Sequence, residues 1–133
     1  MADDFHPNSL ITESQKHSTP AFWFSAKRLK ENYHRFLKEL PGAKIFFPLK
    51  VNAYEPILKL LQQEESSFDA ASLGEIKILL KIGVSPEKII FTTPVKPRSE
   101  IKAAYKVGIG VFVVDSLMEI DKIAHATPNA KIL

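Results

Sequence analysis

Lys50 is the residue of this chain best placed for covalent chemistry, because it closes an apolar run at residues 45–49. An amine must be neutral to attack an aldehyde, and partial burial disfavours the charged ammonium form. A lysine at the end of a strand is therefore suited to form a Schiff base. The alternative is a lysine whose stem covers the strand end while its ammonium group stays in water. On position alone, this second interpretation is the commoner one.

Carboxylates follow at the next apolar run. Asp69 lies within residues 68–71, where it could accept a hydrogen bond from a nearby amine and orient it. On position alone, Asp69 is more readily interpreted as an N-cap or turn residue before a helix. Glu75 falls in the first turn of that helix, where the helix dipole favours an acid without any function. Asn52 is predicted to be a turn residue.

Few other residues of the chain have the type or spacing of a reactive site. The four histidines, at positions 6, 17, 34 and 125, have no metal-ligand spacing, and there is no cysteine, so we expect no metal site. No glycine-rich phosphate loop is found. Residues 92–96 could reach towards a site from the end of a strand, or could form a solvated loop broken by Pro94 and Pro97.

The elements that would position Lys50 alternate along the chain. Apolar runs predict strands, and apolar stripes bounded by Ser caps and Gly stops predict helices. The predicted strands are 20–24, 45–49, 68–71, 89–92, 111–114 and 130–133, and the predicted helices are 26–40, 55–64, 74–82, 99–107 and 117–126. Residues 1–19 are polar and are predicted to be a flexible leader, which leaves 20–133 as the folded domain.

This alternation predicts an α/β fold with a parallel sheet, because helices make the crossovers that parallel strands need. The regular unit length favours a partial (β/α)8 barrel, with about four βα units and the start of strand five; an open doubly wound sheet is the alternative. Such a barrel usually takes about 250 residues. We therefore expect that the second half of the barrel is absent from this chain.

The charge pattern limits the classes of partner. The net charge is +3, from 18 basic and 15 acidic residues that are scattered along the chain. Scattered charge argues against a nucleic-acid surface, and the apolar runs are far shorter than the roughly 20 residues of a membrane span. With no signal or transit peptide pattern, the chain is expected to be cytoplasmic.

Segments in a fixed order resemble the ornithine/diaminopimelate/arginine decarboxylases, pyridoxal-phosphate-dependent enzymes of fold type III. FFPLKVN at 46–52 resembles the family's F-Y-A-V-K-A-N, and SFDAASLGEI at 67–76 resembles G-F-D-x-A-S-x-x-E-[LI]. VSPEKIIF at 84–91 is similar to V-x-P-E-R-I-[IV]-[FY], and TPVK at 93–96 to N-P-x-K of the ornithine branch. VDS at 114–116 and TPAF at 19–22 resemble [FV]-D-S and the T-P-x-[FY] opening.

The resemblance implies that Lys50 binds pyridoxal 5'-phosphate covalently, that Asp69 hydrogen-bonds near its nitrogen, and that Glu75 lies near the site. It further implies a small amino-acid substrate, ornithine-like because of residues 93–96, and polyamine metabolism. Family members form homodimers with shared active sites. Pro48 departs from the family pattern, since proline removes a donor from a strand ladder.

The same resemblance implies that several groups of the complete enzyme are missing here. The family's ring-stacking histidine, its phosphate-binding glycine loop, the acid facing the pyridine nitrogen and the C-terminal β-domain all lie further along the chain. We therefore expect weak cofactor binding and no useful decarboxylation by this chain alone. Two alternatives are an alanine-racemase-like fragment, because KVNAY at 50–54 resembles K-A-N-A-Y, and a non-catalytic homologue that binds a full-length partner.

Overall fold

A computed structural model describes residues 7–17 and 20–133 of the chain. They divide between two units, Met1–Gly42 and Ala43–Leu133. Residues 1–6 and 18–19, which belong to the predicted leader and include Thr19 of the opening motif, lie outside the described residues. No helix among the described residues is both long enough and apolar enough to cross a membrane.

The first unit contains two helices, α1 (Pro7–Ser14) and α2 (Ala26–Glu39). Ser25 caps α2, because its hydroxyl accepts a hydrogen bond from Arg28 N at 3.1 Å. The sequence did not predict α1, which lies inside the segment assigned as a leader; the flexibility of that segment stays a prediction. The strand predicted at 20–24 is wrong. An aromatic run forms a strand only where a neighbouring strand pairs with it, and none pairs with these residues in the described structure.

The second unit alternates strands and helices, as predicted. Its strands are β1 (Phe46–Pro48), β2 (Ser67–Ala70), β3 (Ile89–Phe91), β4 (Val111–Phe112) and β5 (Lys131–Ile132). Its helices are α3 (Glu55–Gln63), α4 (Leu73–Lys81), α5 (Arg98–Lys106) and α6 (Leu117–Ala126), with a 3-10 turn at Pro86–Lys88 before β3.

All five strands are parallel and lie in chain order, β1-β2-β3-β4-β5. An open doubly wound sheet would place some sequential strands apart, whereas a barrel keeps each strand beside its predecessor. The fold is therefore the partial barrel that the sequence predicted.

One face of the sheet is buried and the other is not. Register partners lie on the same face, so Phe68, Ile89, Phe91 and Phe112 share the face that is fully buried with the helix residues. The opposite face carries Pro48, Asp69 and Ile90 in matching register, together with Val111 and Val113 by alternation, and most of these are only half-buried. In a (β/α)8 barrel, the face of the sheet that is not covered by helices lines the interior of the barrel.

Short sequence signals set the helix ends. Ser72 and Ser116 cap α4 and α6 by accepting hydrogen bonds from Glu75 N and Glu119 N. Gly83 and Gly108 follow α4 and α5 with φ values of +88° and +95°, in the left-handed region that favours glycine. The helix predictions in this unit are therefore right to within one residue at each end.

Pro48 costs the sheet no hydrogen bond between β1 and β2. Leu49 N donates to Asp69 O at 3.0 Å, and alternate residues of a strand turn their backbone groups to opposite sides. The nitrogen of residue 48 therefore faces away from β2, at the outer edge of β1. A proline is tolerated at such an edge position.

Candidate functional site at the carboxyl ends of the strands

The residues predicted to carry chemistry lie at or just beyond the carboxyl ends of β1 and β2. Pro48 is the register partner of Asp69, and Lys50 lies two residues beyond Pro48. Lys50 lies in the turn that follows β1, so that Lys50 and Asp69 are both at the carboxyl end of the sheet. In barrels of this type, active sites form at this end of the strands.

Lys50 follows a buried leucine and enters a tight turn. Leu49 is 1% exposed, and Val51 N donates to Pro48 O at 3.1 Å. Lys50 itself is exposed, and among the described residues its Nζ forms no hydrogen bond or ion pair. Its amine is thus available to a small molecule. The turn prediction for Asn52 is confirmed, because its side-chain oxygen accepts from Tyr54 N at 3.0 Å.

Asp69 lies within β2, half-buried on the uncovered face of the sheet. The hydroxyl of Thr92, the residue after β3, donates a hydrogen bond to Asp69 Oδ1. Interpreting Asp69 as an N-cap is wrong, because Ser72 caps the following helix. The carboxylate therefore belongs to the sheet and not to a helix start.

Glu75 contacts the backbone at the start of α4. Its Oε2 accepts a hydrogen bond from Ala71 N at 2.6 Å, while its own N–H donates to Ser72 Oγ at 3.1 Å. These reciprocal bonds resemble a capping box and satisfy free N–H groups at the helix start. A role for Glu75 towards a cofactor stays a prediction.

A buried charged cluster, formed by Lys96, Glu119 and Lys122, was not predicted from the sequence. Lys96 is 1% exposed; its Nζ donates to Val113 O and lies 5.4 Å from the centre of the Phe91 ring. Its backbone N–H donates to Glu119 Oε2 at 3.3 Å, and its carbonyl accepts from Lys122 Nζ at 2.7 Å. Lys122 Nζ also pairs with Glu119 Oε1.

This cluster shows that Lys96 neither reaches into the site nor lies in solvent, the two outcomes considered from the sequence. Its ammonium group lies beside Phe91, a residue of the buried face of the sheet, and donates there to the backbone carbonyl of Val113. The TPVK resemblance at 93–96 therefore marks a buried contact. No local signal in the sequence marks this contact, because the separation of Ser116 and Glu119 predicts only the start of a helix.

Burial shifts the titration of the cluster. Desolvation lowers the pKa of Lys96 below 10.5, and the charge of Lys122 lowers it further, although the charges of Glu119 and Asp115 act in the opposite direction. For Glu119, burial raises the pKa, but the hydrogen bonds from Lys122 and from the Lys96 backbone outweigh it, so that its pKa falls below 4.5.

The opposite end of the sheet holds an open cavity. Its lining includes Gln62, Gly83 and Ser85, with the Lys88–Glu65 ion pair beside it. These residues precede β2 and β3 or follow α3 and α4, so the cavity lies away from Lys50. Across the described parts of the chain, no cluster of His, Cys, Asp and Glu could hold a metal ion.

Comparison with known proteins identifies the family. Residues 26–133 match the model described as "Pyridoxal-dependent decarboxylase, pyridoxal binding domain". The chain is 38% identical to the lysine/ornithine decarboxylase of Selenomonas ruminantium over 122 residues, covering 92% of this chain and 31% of that protein. It is also 38% identical to antizyme inhibitor 2 of Xenopus laevis over 134 residues, covering 100% of this chain and 29% of that protein.

Solved structures agree with the family match. The crystal structure of SrLDC in complex with PLP and cadaverine superposes with a TM-score of 0.89 at 34% identity, covering 100% of this chain and 35% of that one. The chain thus spans about a third of the length of the relatives that it matches. By sequence and by fold, it belongs to the pyridoxal-dependent decarboxylase family, within the pyridoxal-binding domain.

Proposed function

We propose that this chain is the amino-terminal part of a pyridoxal-phosphate-dependent amino-acid decarboxylase, with Lys50 as the lysine that carries the cofactor. The observation that supports this most directly is the position of Lys50. It lies in the turn after β1, at the end of the sheet that bears Asp69, with an exposed amine that no described residue engages. An unpaired amine is what covalent binding of an aldehyde requires.

The described residues fit the reactive end of this cofactor. Lys50 supplies the amine, and Asp69, at the same end of the sheet, supplies a carboxylate that can accept a hydrogen bond from a nitrogen. Pyridoxal phosphate, when bound, supplies an electron sink for cleavage of the bond to the substrate carboxyl group. The tasks of this chain are to hold the Lys50 amine in a fixed orientation and later to return a proton through that amine.

For the substrate, we propose a small basic amino acid of the ornithine or lysine type. The support is the similarity to the lysine/ornithine decarboxylase of Selenomonas ruminantium and to a structure that holds cadaverine, a diamine. The TPVK segment does not support this choice, because Lys96 is buried beside Phe91 and away from the face that bears Asp69. The choice between ornithine and lysine depends on groups outside this chain.

We further propose that the chain alone binds the cofactor weakly and does not decarboxylate. It spans about a third of its relatives, and the family's phosphate loop and pyridine partner are expected outside that third. The homodimer with shared active sites is likewise proposed for the complete protein, and the cytoplasm as its location.

Borohydride trapping tests the cofactor assignment. The chain is incubated with pyridoxal phosphate, reduced with borohydride and digested, and the modified peptides are mapped. We expect Lys50 to be modified first and the Lys50→Arg variant to lose that adduct. Lys77→Arg, which removes another exposed lysine from the middle of α4, should leave it unchanged. Labelling spread evenly over surface lysines would contradict the assignment.

A second candidate is a non-catalytic homologue that binds a full-length partner. The observation in its favour is the similarity to antizyme inhibitor 2, a protein named for an inhibitory action and not for a reaction, which extends over all of this chain. Loss of cofactor chemistry would leave Lys50 without selective labelling while the fold stayed intact. The trapping experiment therefore separates the two candidates. The racemase alternative is set aside, because the decarboxylase model matches residues 26–133.

A further inference from the structure

Thr92 makes a contact that neither the motifs nor the family description assigns. It is the first residue after β3, and its hydroxyl donates a hydrogen bond to Oδ1 of Asp69, 23 residues earlier in the chain. Both side chains are half-buried at the carboxyl end of the sheet. Thr92 thus connects two neighbouring strands at the end where chemistry is proposed.

The backbone of Thr92 is fixed by the same neighbour. Its N–H donates to Ala70 O at 2.9 Å, which extends the β2–β3 ladder by one residue. A β-branched side chain is stiff about χ1, so that fixing the backbone largely fixes the hydroxyl. Among the described residues the hydroxyl also reaches Ala70 O, which lies at 3.4 Å and competes poorly with a carboxylate.

We propose that Thr92 is a positioning residue that holds the Asp69 carboxylate in one orientation. With Oδ1 engaged by the hydroxyl, Oδ2 is left as the oxygen that accepts from the Lys50 nitrogen. This step rests on the proposed function, in which Lys50 carries the cofactor. Loss of the hydroxyl frees the carboxylate to rotate, so that it spends less time as the acceptor for that nitrogen.

Thr93 provides a matched control. Its hydroxyl donates to Ala71 O, a backbone carbonyl, one residue further along both strands. Thr92→Val and Thr93→Val therefore each remove one hydroxyl from the same strand end and keep the β-branched shape. Only Thr92→Val removes a hydrogen bond to a carboxylate. Thr92→Ser keeps the hydroxyl and serves as the rescue variant.

The first experiment needs no cofactor. In ¹³C- and ¹⁵N-labelled chain, the Hα–Hβ couplings of Asp69 report whether its χ1 angle is fixed or averaged. We expect one rotamer in the wild type, averaged couplings in Thr92→Val, and wild-type couplings in Thr92→Ser and Thr93→Val. Unchanged couplings in Thr92→Val would overturn the proposal whatever the function of the chain.

The second experiment measures the rate of borohydride-trapped labelling at Lys50 with pyridoxal phosphate. Losing a hydrogen bond to a charged group changes an equilibrium by about tenfold or more, and we expect Thr92→Val to slow labelling by about that factor. Thr92→Ser should restore the rate. If Thr92→Val labels as fast as the wild type, the carboxylate does not act on Lys50. If the wild type shows no selective labelling, the proposed function fails, and the couplings alone decide the role of Thr92.

Discussion

Two lysines after strands of the same sheet have opposite environments. Lys50 follows β1 and is exposed, whereas Lys96 follows β3 and is 1% exposed beside Phe91. Both occur in segments that resemble family motifs, and residue type alone does not separate them. Among the described residues no partner engages the Lys50 amine, whereas the buried amine of Lys96 donates to the Val113 carbonyl and is attracted by the charge of Glu119.

Lys96→Met tests the burial of this ammonium group through pH. Desolvation lowers the pKa of Lys96 in the folded protein below the 10.5 of an unperturbed lysine. Between the folded and unfolded pKa values the unfolded chain binds more protons, so that the free energy of unfolding rises with pH. We expect the wild type to gain stability relative to Lys96→Met as pH approaches 10.5, by about 1.4 kcal/mol for each unit of pKa difference.

The measurement is urea unfolding of both chains at several pH values from neutral to alkaline. Subtracting the two curves removes the titration of all groups that the variants share. Methionine keeps an apolar stem of similar length over the Phe91 ring, which limits the packing change. A difference that is flat over this range would mean that the ammonium group is solvated in the folded chain.

At the scale of elements, one sequence motif performs two different tasks. Ser72 and Glu75 start α4, and Ser116 and Glu119 start α6 with the same spacing. Glu75 bonds the backbone beside its own cap, at Ala71 N. Glu119 instead accepts from Lys96 N, 23 residues away, and so ties α6 to the loop between β3 and α5.

Glu119→Gln is expected to destabilise the chain by about 3–5 kcal/mol, because it leaves buried positive charge without its partner. Glu75→Gln, which changes the same position of the motif in α4, should cost about 1 kcal/mol or less. Thermal or urea unfolding at neutral pH provides the comparison. Equal losses in the two variants would contradict a special role for the connection between α6 and the loop.

The dependence of stability on acid pH provides a second test of the role of Glu119. Its pKa is lowered below 4.5 in the folded protein, so that its contribution is present above 4.5 and is lost as pH falls through the folded value. The wild type should therefore lose stability relative to Glu119→Gln below pH 4.5. A constant difference across this range would show that the carboxylate gains nothing from Lys122.

The helices and strands of the second unit were largely predictable because their signals are local. Ser116 and the apolar pattern after it fixed α6, and Gly83 and Gly108 ended α4 and α5. Strand β4 is shorter than predicted, Val111–Phe112, because its ladder depends on β3 and β5 and not on its own apolar run.

The candidate site was predictable in part. The order of strands places Lys50 and Asp69 at one end of the sheet, which the βα repeat already implied. The Thr92–Asp69 bond and the burial of Lys96 were not predictable, because each depends on side-chain directions across residues that are 23 or 17 positions apart in sequence. Periodicity reports which residues are apolar, but it does not report which hydroxyl meets which carboxylate.

At the scale of the whole molecule, the sheet of this chain has two outer strands. Within the described residues β1 and β5 each pair with one neighbour only, and such edges are templates for pairing with another chain. At β1 the edge is weakened by Pro48, whose nitrogen faces outwards and carries no hydrogen. The edge at β5 is short and carries Lys131 but has no proline, so it keeps a backbone donor, and we expect self-association of this chain to proceed mainly through β5.

The backbone N–H of Ile132 is the group that we expect to pair with another chain at the β5 edge. Lys131 N and Leu133 N donate to Gly110 O and Phe112 O of the β4 side, so that alternation turns the N–H of Ile132 towards the open edge. Ile132→Pro removes that donor without removing a bond to β4. Sedimentation velocity over a range of concentrations should then show association at least several-fold weaker than in the wild type. Ile132→Val, which keeps the N–H and the β-branched shape, should associate like the wild type; if Ile132→Pro also associates like the wild type, the contact does not form through this edge.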